Sequence, residues 1–185
     1  MKQFLYRIAT GRNALICMVL YVLMISQVMN RAQQRMEEHS GGTGPVDLAI
    51  FYKPQEALDM IGRYDAETID FYRRFIFTGD LVYPIIYTFF WGLSTLFFFK
   101  KAFPEGHFMH KLWFVPFVPF WFDMLENALL YQMLHTYPND VAQLAQAASV
   151  ASGLKWISAF CAIGLMLTGL GAWIWSVTVG RRTSK

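Results

Sequence analysis

Four stretches of this chain are long and apolar enough to demand a bilayer, and that demand limits the folds open to it. They cover residues 14–29, 75–99, 112–134 and 156–179. A helix rises ~1.5 Å per residue and needs roughly 20 apolar residues to cross about 30 Å of hydrocarbon. Three of the stretches meet that length, and 14–29 falls slightly short. Within hydrocarbon each backbone N–H and C=O must find a partner in its own segment, so each stretch is expected to be a helix. Hydrophobic residues form 55% of the 185-residue chain and aromatic residues 17%. A soluble domain of this size has too little core to bury them. The expected fold is therefore all-α: a single membrane domain over residues 1–185, built as a four-helix transmembrane bundle.

A basic start followed by an apolar run also describes a secretory signal peptide. Here Lys2, Arg7 and Arg12 precede the first run, but residues 26–31 lack a small-x-small cleavage pattern. The first run is read as an uncleaved helix. Lys100, Lys101 and Lys111 lie between the second and third runs, and Arg181, Arg182 and Lys185 follow the fourth. With four spans these three basic segments share one side, and the positive-inside rule makes it cytoplasmic. The expected location is the plasma or an inner membrane, with both termini in the cytoplasm. Trp113, Trp156, Trp173 and Trp175 fall near span ends, as interfacial belts require.

The long loop between the first two spans, residues 30–74, carries its own signals. Gly41, Gly42, Gly44 and Pro45 mark a break. Residues 54–61 read as a short amphipathic helix with Pro54 in its first turn and Gly62 as its stop. Asp65 is placed to cap a further helix leading into the second span. This partly helical loop is expected to fold over the outer mouth of the bundle. Asp140 with Gln143 resembles a capping box that starts the last helix near residue 141.

Acidic residues inside the apolar runs are the most informative functional signal. Asp80 lies in the second run, and Asp123, Glu126 and Asn127 lie in the third. Positions i, i+3 and i+4 share a helix face, so the last three point the same way. A carboxylate facing lipid costs at least ~2.5 kcal/mol, so the group is expected to face the bundle interior. Helical rise puts Asp80 about 9 Å, Glu126 about 12 Å and Asp123 about 16 Å below the outer boundary. Lys155 enters the last span from the same side, and its flexible stem reaches inward. Tyr83 and Tyr87 offer hydroxyls. Two readings follow for Asp80, Tyr83, Tyr87, Asp123, Glu126, Asn127 and Lys155. One is a polar pocket for a membrane lipid or other small amphiphile. The other is a polar network that only locks the helices in register. Pro84, Pro116 and Pro119 break helical hydrogen bonds and kink helices, which either leaves a cavity between them or only fits the shape of the bundle.

The remaining signals are weaker. No dense basic patch points to nucleic acid. His107 and His110 have an H-x-x-H spacing, but with only Glu105 nearby they make no three- or four-ligand metal site, and no cofactor is expected. Cys17 and Cys161 read as small buried hydrophobes. Gly164, Thr168 and Ala172 form a small-residue stripe, suited to packing within the bundle or between two copies. No phosphate-binding loop, nucleophile elbow or zinc-protease motif is present. If chemistry occurs, a protonated Glu126 or Asp123 is the candidate acid and an ionised partner the base.

The run Phe77-Thr78-Gly79-Asp80-Leu81-Val82-Tyr83-Pro84 places an acid shortly before a proline. With the four spans, the long first outer loop and the acids in the middle helices, this layout resembles the EXPERA group of sterol isomerases and sigma-2-type receptors. The likeness covers topology. The His and Glu arrangement of those isomerases has no counterpart in these helices, so no catalytic role is carried over.

Overall fold

A computed structural model describes residues 2–180. Helix accounts for 82% of the chain and there is no strand among the described residues, so the fold is all-α. The elements in order are α1 (Lys2–Ile8), α2 (Gly11–Leu23), α3 (Asn30–His39), α4 (Pro54–Ile61), α5 (Ala66–Ile76), α6 (Gly79–Ala102), α7 (Val118–Thr136) and α8 (Ala142–Gly180). Arg181, Arg182 and Lys185 lie outside the described residues.

Among the described residues, three helical stretches are long and apolar enough to cross a membrane: Gly11–His39, Ala66–Ala102 and Ala142–Thr178. The third expected span differs from the sequence reading. Residues 108–117 are not α-helix but two short 3-10 turns, Phe108–Leu112 and Val115–Phe117, and α7 begins only at Val118. Pro116 and Pro119 explain this, because each lacks the N–H that an earlier carbonyl would need. At 19 residues α7 is about 28 Å long. Asp123, Glu126, Asn127 and Gln132 dilute its apolar character.

The first span also differs. Its helix does not stop at residue 29 but runs through a π-helical stretch, Met24–Met29, into α3. Gly41 and Gly42 then take left-handed backbone conformations, and the Gly42 N–H donates to Glu37 O at 2.8 Å, ending the helix. The short helix at 54–61 forms as expected, and Asp65 caps α5 by accepting from the Thr68 N–H at 2.7 Å. Asp140 accepts from the Ala142 N–H at 3.0 Å at the start of α8.

Helices α6, α7 and α8 pack together, and α2 leans on α6. The loop between α3 and α6 is not loose. Val46, Tyr52, Ala57, Ile61, Tyr64 and Tyr72 join Leu130, Met133, Leu134, Val141, Ala145 and Ala148 in one buried cluster. This cap covers the end of the bundle formed by the C-terminus of α7 and the N-terminus of α8. At the opposite end α1 meets the α6–α7 connection. The Tyr6 hydroxyl lies 2.9 Å from His110 Nδ1, and Lys100 Nζ donates to Tyr6 O at 2.8 Å. Trp173 of α8 stacks on Phe98 at this end.

The inward stripe of α8 runs Ala145, Ala148, Ser152, Lys155, Ala159, Ala162 and Gly169, nearly all small residues. Small side chains let helix backbones approach closely. A Cβ at Gly169 would stand 2.9 Å from Phe99 Cδ1, whereas one at Gly164 would meet nothing within 4 Å. The Gly164, Thr168 and Ala172 stripe is therefore not what packs α8 into the bundle. Cys17 is half-buried, and Cys161 lies exposed on α8 rather than buried.

These contacts set up a comparison. Gly169→Val is expected to cost about 1–3 kcal/mol through overpacking against Phe99. Gly164→Val is expected to leave monomer stability unchanged. Unfolding midpoints in detergent check both.

Candidate functional site

The site starts from a backbone defect. Pro84 has no N–H, so the carbonyl four residues earlier, Asp80 O, loses its helical donor. Asn127 of α7 fills the gap, its Nδ2 donating to Asp80 O at 3.3 Å. A side chain on one helix thus repairs the hydrogen-bond ladder of another and fixes their relative height. The same turn of α7 carries Asp123 and Glu126, and α8 brings Lys155 opposite them.

Lys155 Nζ sits 2.6 Å from Glu126 Oε2 and 3.7 Å from Asp123 Oδ1. The Tyr87 hydroxyl donates to Asp123 Oδ2 at 2.7 Å. Tyr87 stacks on Trp91 with ring centres 4.4 Å apart, and the Tyr83 ring meets the Tyr87 ring edge-on at 5.2 Å. Of the seven residues singled out in the sequence, Asp80, Tyr83, Tyr87, Asp123 and Lys155 line one cavity, while Glu126 joins them through Lys155 and Asn127 through Asp80 O.

The structure also brings an eighth that sequence reasoning missed. Asp47, in a 3-10 turn at Val46–Leu48, dips from the cap into the cluster and is 5% exposed. Lys155 Nζ donates to Asp47 O at 3.0 Å, the buried Tyr72 hydroxyl donates to Asp47 Oδ1, and the Asp47 N–H reaches the Tyr72 oxygen at 3.4 Å. One signal existed in the sequence: a lone acid within the otherwise apolar run Val46 to Phe51.

Residues 44–52 form a strap held at both ends. The Tyr64 hydroxyl donates to Gly44 O at 2.7 Å, and Ser149 Oγ of α8 donates to Tyr52 O at 2.6 Å. Between them Phe51 has φ 55°, a left-handed conformation that costs a side-chain-bearing residue roughly 1–2 kcal/mol. Burial first, then the Glu126 charge, holds the Tyr52 hydroxyl well above the ordinary phenol range. Burial and then Asp47 do the same to Tyr64. Tyr64 donates to Gly44 O, whereas the buried Tyr52 hydroxyl has no hydrogen-bond partner among the described residues.

Charge is out of balance in the cluster. Asp47, Asp80, Asp123 and Glu126 are all buried, and Lys155 is the one buried cation among the described residues. Asp80 Oδ2, Glu126 Oε1, Asn127 Oδ1, Ser152 Oγ and Trp156 Nε1 are buried without a hydrogen-bond partner. Beside them lies a cavity of about 60 Å³, walled by Asp47, Leu48, Asp80, Tyr83, Tyr87, Trp91, Asp123, Lys155, Trp156 and Ala159. The cluster can accept hydrogen bonds, donate them from Lys155 and Trp156, and share protons among its carboxyl groups. The two loop histidines are engaged elsewhere: His107 stacks on Phe103 and His110 meets Tyr6.

This geometry describes a helical protein with membrane-length apolar helices and a capped, buried acidic cluster. No protein-family model, curated protein or solved structure matches the chain.

Lys155→Met would strand Asp123 and Glu126, and breaking a buried ion group in this way costs about 3–5 kcal/mol. Adding Asp123→Asn and Glu126→Gln to that variant is expected to restore part of the loss, because the two carboxylates that Lys155 pairs with directly are then neutral. Denaturant titration of the single and triple variants gives the comparison.

Proposed function

We propose that the chain is a four-helix transmembrane bundle, termini cytoplasmic, in a plasma or inner membrane. In this reading the acidic cluster binds the polar head of a membrane lipid or other small amphiphile, and the strap of residues 44–52 covers it. The observation that carries the reading is the set of unpartnered buried polar atoms, Asp80 Oδ2 above all, beside a cavity. Native structures leave few buried polar groups unsatisfied, and each one left has a cost of about 1–3 kcal/mol. A headgroup with hydroxyl or amide donors would satisfy them. The present cavity is about 60 Å³, against roughly 300–1,000 Å³ for ligand pockets. Entry therefore needs the strap to lift from Lys155 and Tyr72.

A second reading has its own support. Lys155 already engages Glu126 and Asp123, and the space left is small. On that basis the cluster is a structural lock in a non-enzymatic accessory subunit. The stripe at Gly164, Thr168 and Ala172 would then meet a second copy, since a Cβ at Gly164 has open space around it.

Mass spectrometry of lipids that co-purify with the protein separates the two. Under the pocket reading one amphiphile class is enriched over the bulk membrane. Asp80→Asn and Glu126→Gln reduce that enrichment at least tenfold while the helical circular dichroism stays intact. Equal lipid content in wild type and both folded variants would leave only the lock.

A further inference from the structure

The cavity beside Lys155 carries more negative charge than its own cation balances. Asp47, Asp80 and Asp123 line it, and Glu126 pairs with Lys155, which compensates only one of these four buried acids. Each lining carboxylate has one oxygen committed or sealed. Asp47 Oδ1 accepts from the Tyr72 hydroxyl, Asp123 Oδ2 accepts from Tyr87, and Asp80 Oδ2 is closed in without a partner. The second oxygens, Asp47 Oδ2, Asp80 Oδ1 and Asp123 Oδ1, accept no hydrogen bond among the described residues and are not sealed, so they are the ones open to the cavity. Asp123 Oδ1 lies 3.7 Å from Lys155 Nζ, beyond hydrogen-bonding reach.

Hydroxyl or amide donors would satisfy these oxygens but not their charge, and a buried charge without a counter-charge is costly. The walls choose among cations. A bare metal ion needs about three or more convergent ligands, and among the described residues no three His, Cys, Asp or Glu side chains could hold one. The remaining walls are the rings of Tyr83, Tyr87, Trp91 and Trp156. Aromatic faces attract ammonium groups within about 6 Å. Lys155 Nζ already lies 5.4 Å from the Trp156 ring centre, so this wall accepts an ammonium. Size narrows the class further. The cavity of about 60 Å³ has room for roughly two water-sized groups at ~30 Å³ each. A primary ammonium with its first methylene is of that size. A trimethylammonium, with three more methyl groups, is not.

We propose that the head bound at the acidic cluster is a primary ammonium borne by a membrane amphiphile, an aminolipid rather than a choline lipid. Its N–H groups donate to Asp47 Oδ2, Asp80 Oδ1 and Asp123 Oδ1, while Lys155 stays with Glu126. Only the head enters the cavity, and the chain stays in the bilayer. The proposal rests on the pocket reading above and adds to it the charge and size of the head.

The test uses the full chain at neutral pH in phosphatidylcholine nanodiscs doped with oleylamine, oleyltrimethylammonium, oleyl alcohol or octadecene. Native mass spectrometry counts the probe molecules retained. Wild type is expected to retain oleylamine about tenfold over both the alcohol and the trimethylammonium, the effect of charge-assisted hydrogen bonds. Asp80→Asn, which keeps the shape and removes a charge, is expected to lower the amine-to-alcohol ratio about fivefold or more. Asp59→Asn, at an exposed acid of α4 outside the cluster, is expected to leave it unchanged. Millimolar methylammonium chloride is expected not to displace oleylamine, because the chain holds the head at the site; displacement would overturn the lipid source and leave a soluble amine as the ligand. Equal retention of oleylamine and oleyltrimethylammonium reports charge alone and would overturn the proposal, as would an amine preference that survives Asp80→Asn. Oleyl alcohol held over octadecene and lost in Asp80→Asn, with no amine preference, would refute the ammonium and keep the pocket reading. No probe held over octadecene would remove both. Should Asp80→Asn not fold, the wild-type ranking of the four probes decides alone.

Discussion

One ammonium group organises the capped end of this molecule. Lys155 is held by Glu126 and Asp123 of α7 and by the Asp47 carbonyl of the cap, so a single side chain joins three parts of the chain that are far apart in sequence. Buried ion groups add little net stability, because desolvation offsets most of the attraction. They discriminate strongly between arrangements, since any alternative leaves a charge stranded. The small residues along α8 bring its backbone close to its neighbours, and Lys155 meets Glu126 and Asp123 across that close contact.

The cap and the bundle are consequently one structure. The strap does not merely rest on the helices: it supplies a carbonyl to Lys155 and a carboxylate to Tyr72, and Ser149 pins its far end. Moving it frees an ammonium and three hydroxyls together, those of Tyr64, Tyr72 and Ser149. The Asn127 bond to Asp80 O has a similar logic. A proline in α6 creates an acceptor that only a side chain from α7 satisfies, so the helix defect becomes an interhelical contact.

Local and periodic features were legible in the sequence. The helices at 54–61 and 66–76, the start of α8 and the gathering of Asp80, Asp123, Glu126, Asn127 and Lys155 all follow from capping residues, 3.6-residue periodicity and the cost of charge in hydrocarbon. What escaped depends on long-range contact. Asp47 sits in a stretch with no period, and its partners Tyr72 and Lys155 lie 25 and 108 residues away. The late start of α7 needed the joint effect of Pro116 and Pro119, which hydropathy does not weigh. The continuation of the first helix through residues 30–39 was hidden by its polar composition, which marks a change of environment and not the end of a helix.

The acids of α7 have a consequence for how such a chain is made. Within the proposed topology α7 is a poor membrane segment on its own, and its counter-charge lies on α8, which leaves the ribosome later. The two helices would then enter the bilayer as a hairpin, with Lys155 drawn in by the acids it neutralises. The Tyr137-Pro138-Asn139-Asp140 turn keeps the pair adjacent during that step. Read this way, the ion group is a condition for insertion as well as a feature of the finished fold, and a chain ending before Lys155 would leave α7 without a stable place in the membrane.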